Sequence, residues 1–123
     1  IYRGDSMKIE DCIENFILSV NEKNSQLFCN LLGPKELTKL RKKLYISRNY
    51  ISINRYVKER YLEKLSRLVS PLYSYEYFKR GNKYIVKYKF IKNKSYFITE
   101  FNVSENEDGS LISLNIAKIQ AKI

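Results

Sequence analysis

The chain has 123 residues, 44% of them hydrophobic and 29% charged, with a formal net charge of +10. That length holds one hydrophobic core and not two, and no run of it approaches the roughly 18 apolar residues that cross a bilayer. Histidine is absent and cysteine occurs twice, which excludes the usual zinc-binding sets; no cofactor is expected.

Residues 1–6 precede the single methionine, Met7. They read as a cloning scar or flexible lead, with 7–123 forming one domain. Two origins stay open. Met7 as a native start implies a cytoplasmic protein, whereas a chain cut from a longer precursor favours an extracytoplasmic, envelope-associated one.

Ile9, Ile13, Phe16, Ile17 and Val20 recur at helical spacing and predict an amphipathic helix ending near Asn21, with Asp5 or Ser6 as its N-cap. Asn24-Ser25 restarts the chain into a short helix carrying Leu27, Phe28, Leu31 and Leu32. Gly33-Pro34 then predicts a stop and a start, with glycine at the C′ position and proline in the next first turn. Leu37, Leu40 and Leu44 form the third apolar stripe. Cys12 and Cys29 lie on the first two helices, staggered by about 9 Å at a rise of 1.5 Å per residue. A disulfide needs Cα atoms within about 7 Å, so two reduced, buried thiols are expected. Arg48–Ile53 fits a short extended piece. Asn54 is the expected cap of a further helix with Val57, Tyr61, Leu62, Leu65 and Leu68 inward, ended by Ser70-Pro71.

After Pro71 the period of the apolar residues changes from 3.6 to 2. Leu72–Lys79 puts Tyr73, Tyr75 and Tyr77 on one face, with Leu72 and Phe78 on the other. Arg80-Gly81-Asn82 reads as a tight hairpin turn. Lys83–Phe90 aims Tyr84, Val86, Tyr88 and Phe90 one way and its lysines the other. A turn at 92–94 leads to Tyr96–Val103, where Phe97, Thr99, Phe101 and Val103 share a face. Glu105–Ser110 turns again into a last strand, Leu111–Gln120, with Ile112, Leu114 and Ile116 inward. Strands joined by such short turns are antiparallel neighbours. The expected class is α+β, with N-terminal helices packed on one face of a curved four-stranded antiparallel meander.

The charge is unevenly spread. Residues 35–67 hold eleven basic and three acidic groups, whereas residues 1–34 hold three basic and five acidic. Lys39, Arg41, Lys42, Lys43, Arg55, Lys58, Arg60 and Lys64 are therefore the candidate polyanion-binding residues, nucleic acid being one possible partner. A solvated helix face is the plainer reading, with Glu59 and Glu63 available to pair with Lys64 and Arg67. The tyrosine row Tyr73, Tyr75, Tyr77, Tyr84 and Tyr88 is the candidate ligand or partner surface. Sheet packing is its plainer reading, and base stacking is a third.

The order of elements resembles the nuclear transport factor 2-like, or cystatin-like, superfamily over nearly the whole chain. The stretches that carry the resemblance are Ile9–Leu32, Tyr84–Phe90 and Asn106-Glu107-Asp108-Gly109-Ser110, which look like the family's opening helical hairpin, its hairpin strands and its closing turn. The resemblance implies a sheet rolled round helices. Its members include enzymes, transport adaptors, secreted lipoprotein domains and scaffolds of secretion and conjugation machines, so the layout licenses no chemistry by itself. The enzymatic branches use Asp, His or Tyr groups in the cone. Here the strand acids, Glu76 and Glu100, alternate onto the face opposite the aromatics. The expectation is a non-enzymatic binding or assembly domain of a bacterial envelope protein, joining a protein partner or itself through the sheet face that the helices leave uncovered. A nucleic-acid-binding module using the basic helices, or a small-molecule or enzymatic cone, is the alternative.

Overall fold

A computed structural model describes residues 8–90, 95–106 and 109–122. Five α-helical segments precede five β-strands: α1 Ile9–Glu22, α2 Ser25–Asn30, α3 Pro34–Ile46, α4 Ile53–Val57, α5 Glu63–Leu65, then β1 Tyr73–Arg80, β2 Lys83–Phe90, β3 Ser95–Asn106, β4 Gly109–Leu114 and β5 Gln120–Lys122. The fold is α+β, as the change of period indicates. The antiparallel sheet runs β1-β2-β3-β4 without closing into a barrel, and β5 adds to β3.

Local chemistry accounts for most helix ends. Asp5 and Ser6 lie outside the described residues. Lys8 occupies the N-cap of α1, where its amide donates to Asp11 Oδ2 at 3.3 Å. Lys23 ends α1 with φ 52°, and the Asn24 amide reaches back to the Ser19 carbonyl at 2.8 Å. Asn24 then caps α2 by accepting from the Leu27 amide. Gly33 departs from the expected left-handed C′ position: it is the extended N-cap of α3, ahead of Pro34. Its smallness serves packing instead, since a Cβ there would lie 3.1 Å from Cβ of Ser113 on β4.

Ser52, not Asn54, caps α4, accepting from the Arg55 amide at 3.1 Å. Arg48–Ile53 is a turn and bend, not an extended strand. Between α4 and α5 lies a wide turn, Lys58–Leu62, in which the Glu63 amide donates to the Lys58 carbonyl. Val57 and Leu62 are five residues apart and both fully buried. A regular helix would rotate them to different faces; the extra residue in this turn brings them back to one.

One core joins all five α-helical segments to the sheet. Phe16 of α1 sits at its centre, 5.4 Å from the Tyr88 ring and 6.4 Å from Phe97. The sheet contributes Val86, Tyr88, Phe90, Phe97, Phe101 and Leu114 to this cluster. Cys12 and Cys29 are free and buried, and burial pushes the Cys12 thiol up to about 12. The expected last strand is broken. β4 pairs with the far half of β3 and β5 with its near half. Between them Asn115 accepts from the Ala117 amide and starts a single tight turn, Ile116–Lys118, which buries Ile116.

Candidate functional site

The register of β1, β2 and β3 decides which residues face the helices. Tyr73, Tyr75 and Tyr77 stand opposite Phe90, Tyr88 and Val86, so the tyrosine row lies on the covered face. Tyr88 is wholly buried, its hydroxyl 2.9 Å from Thr99 Oγ1, and burial raises its pKa. It presents nothing to a partner. Tyr73, Tyr75, Tyr77 and Tyr84 are half-buried against the core. The rings of Tyr73, Tyr75 and Tyr77 follow one another at 6.3 and 6.4 Å, and Tyr84 meets Tyr77 edge-on at 5.9 Å. The Tyr77 hydroxyl donates to the Glu10 carboxylate of α1. That bond holds Glu10 below the usual carboxylate range and pushes Tyr77 up to about 12. Packing aromatics across a half-buried strand suits their shape, and this row ties β1 to α1.

The opposite face has a different composition. Phe78 stands opposite Ile85, Glu76 opposite Lys87, and Lys87 opposite Ile98. Diagonal neighbours in a sheet are within reach of long side chains, so Phe78, Ile85 and Ile98 form one apolar strip. None of the three belongs to the core or packs against it, and Phe78 is 56% exposed. With Glu76, Tyr77 and Lys87 they line a groove of about 310 Å³. Lys87 reaches over the Tyr96 ring at 4.8 Å. Lys83 Nζ lies 3.3 Å from Oε1 of Glu100, whose side chain is only 15% exposed. The pair has ionic proximity without hydrogen-bond alignment, and among the described residues this oxygen is a buried acceptor with no donor.

The candidate polyanion residues are all exposed on the helical side. Lys39 pairs with Glu36 at 3.7 Å and Arg55 with Glu59 at 3.0 Å, so Glu59 binds one turn back and not forward to Lys64. Lys43 Nζ is 3.4 Å from the Tyr56 hydroxyl. Arg41 enters a groove of about 370 Å³ between α2, α3 and α4. At its base the Cys29 thiol donates to Asn54 Oδ1, and Asn54 donates to Gln26. Desolvation raises the Cys29 pKa, which keeps the thiol protonated and a poor nucleophile. Lys42, Lys58, Arg60 and Lys64 stand in solvent and do not converge on this groove.

No protein-family model, curated protein or solved structure matches this chain. Among the described residues no group of three or more Cys, Asp or Glu is placed to hold a metal, and no helix is long and apolar enough to cross a membrane. The strip Phe78, Ile85 and Ile98 is assembled from three strands by pairing, which no single stretch of sequence displays as a unit. The signal was there: Ile85 and Ile98 occupy the phase that the lysines of β2 assign to solvent.

Proposed function

We propose that this chain is a non-enzymatic assembly domain of the nuclear transport factor 2-like layout, which associates with a second copy of itself through the uncovered sheet face. The observation that carries the reading is the apolar strip Phe78, Ile85 and Ile98, which no described helix packs against. Exposed apolar patches of this kind favour association because burying them removes apolar area from water. Its surroundings suit a two-fold contact. Glu76 and Lys87 flank the strip with opposite charges, and a self-complementary patch needs both signs on the same surface.

Sedimentation equilibrium over a wide concentration range tests this. The wild-type chain is expected to move from monomer to dimer, and Phe78→Asp to stay monomeric. Leu18→Asp, which places the same charge at another exposed apolar position, is expected to dimerise as the wild type does. A wild-type monomer at every concentration, or equal dimerisation of Phe78→Asp, would overturn the proposal.

A further inference from the structure

A second surface lies on the helical side of the molecule, and its chemistry differs from that of the sheet. Residues 35–60 carry nine basic and two acidic groups. Both acids are engaged locally, Glu36 by Lys39 and Glu59 by Arg55. Lys35, Arg41, Lys42, Arg48 and Lys58 are exposed and have no carboxylate partner among the described residues. A surface of one sign with its counter-charges already used attracts a polyanion.

Polyanions are not alike, and the aromatic groups discriminate between them. Tyr45 and Tyr50, 74% and 79% exposed, are the most solvent-open large hydrophobic residues among those described. The turn that ends α3 brings them to one groove. Arg48 takes the left-handed conformation at φ 57°, its amide donates to the Tyr45 carbonyl at 3.1 Å, and the Asn49 amide donates to the Leu44 carbonyl at 2.9 Å. This is the Schellman arrangement of a helix C-terminus. The chain folds back, and Tyr45 and Tyr50 line a groove of about 350 Å³ together with Arg41 and Asn49. Arg41, Ser52 and Ile53 also line the neighbouring groove, where the Gln26, Asn30 and Asn54 amides lie. The two grooves form one track, with tyrosine rings at one end, amides at the other and Arg41 shared between them.

We propose that this track binds single-stranded nucleic acid, with bases on the Tyr45 and Tyr50 rings and phosphates drawn to Arg41 in the grooves and to the solvent-exposed Lys42 and Arg48, outside the groove linings but close to these residues in the chain. Unpaired bases offer π-faces that such rings stack on, whereas the bases of a duplex are already stacked on each other. Side-chain amides add donors and acceptors for base edges. The tyrosines of this track are not those of the sheet, so the proposal stands apart from self-association.

Fluorescence anisotropy of a labelled oligothymidine of about 20 nucleotides, titrated with the full chain over a range of salt, tests it. Binding is expected at low ionic strength, weakening steeply as salt rises. Tyr45→Ala with Tyr50→Ala removes two stacking platforms and no charge, and affinity should fall at least about ten-fold with the salt slope unchanged. Tyr45→Phe with Tyr50→Phe keeps the rings and should keep the affinity. Arg41→Gln with Lys42→Gln should flatten the log–log salt slope by about 1.4, whereas Lys79→Gln with Lys89→Gln, the same charge loss on the sheet, should leave it unchanged. All these positions are exposed, and circular dichroism verifies that each variant folds. No binding at the lowest salt would overturn the proposal. So would full affinity in the alanine pair, or tighter binding to heparin, duplex DNA or phosphatidylserine vesicles than to the oligothymidine.

Discussion

The two faces of the sheet are made from the same strands and differ in almost everything else. On the inner face Val86, Tyr88, Phe97, Thr99 and Phe101 are fully buried, and the polar atoms there are matched, Tyr88 to Thr99. On the outer face Phe78, Ile85 and Ile98 are apolar without being part of the core, and a Glu100 oxygen is paired with Lys83 in charge only, with no aligned hydrogen bond. Hydrophobicity alone therefore does not locate the core of this protein. Register does, because each residue's face is fixed by its pairing partner. An apolar residue in the solvent phase of a strand is then a feature that folding does not require.

The largest expected contrast comes from removing one ring from each face. Phe97→Ala leaves a cavity beside Phe16 and Phe90, which pack against that ring at 6.4 and 4.8 Å, and should cost about 3–5 kcal/mol in urea denaturation. Phe78→Ala should change monomer stability by no more than about 0.5 kcal/mol while weakening association. If the two substitutions destabilised the monomer equally, the distinction between the faces would fail.

A smaller effect tests the helical corner. Arg48 holds a left-handed conformation that costs an L-residue with a Cβ about 1 kcal/mol and costs glycine little. Arg48→Gly should therefore raise stability by about 1 kcal/mol and lower oligonucleotide affinity at the same time. Lys23→Gly, at the matching position of α1 with φ 52°, should raise stability without touching that affinity.

The smallest effect belongs to Tyr77 and Glu10, and its sign follows from their pKa directions. Tyr77 is raised to about 12 in the folded chain against about 10 when unfolded. Its contribution is full below about pH 10 and is lost as pH rises through about 12. Glu10 is lowered, so its contribution is present above its unfolded pKa and lost as pH falls through the folded one. Tyr77→Phe should remove the alkaline dependence from a pH series of denaturation midpoints and weaken the acid one, since a backbone hydrogen bond and Lys8 still lower Glu10. An unchanged alkaline limb would show that the bond contributes nothing in solution.

How far the sequence reveals this molecule depends on the range of the interactions. The helix stripes and strand phases are local periodicities, and β2 runs from Lys83 to Phe90 as the alternation requires. The turn at Gly81, with φ 62°, follows from glycine's tolerance of that region. What escapes is non-local. Gly33 looks like a helix stop, yet its role is set by Ser113, eighty residues away in the chain. Leu111–Gln120 alternates well enough to read as one strand, but Asn115 breaks it. There the Asn115 amide bonds the Glu100 carbonyl at 2.9 Å, a partner that periodicity does not disclose. Of the candidate sites, the basic residues were legible because exposure follows from charge. The tyrosine row was legible as a row, but only pairing with Phe90, Tyr88 and Val86 assigns it to the covered face.

The most direct test of the central claim is to watch the isoleucine methyls by NMR in the presence of a soluble paramagnetic agent, at low and at high protein concentration. Ile13 is fully buried and Ile46 is open to solvent, so they calibrate the two extremes. Ile85 and Ile98 are predicted to broaden in the dilute sample and to become protected in the concentrated one, while Ile46 broadens in both. Equal broadening of Ile85 and Ile98 at both concentrations would contradict the claim that the uncovered sheet face is where this chain associates.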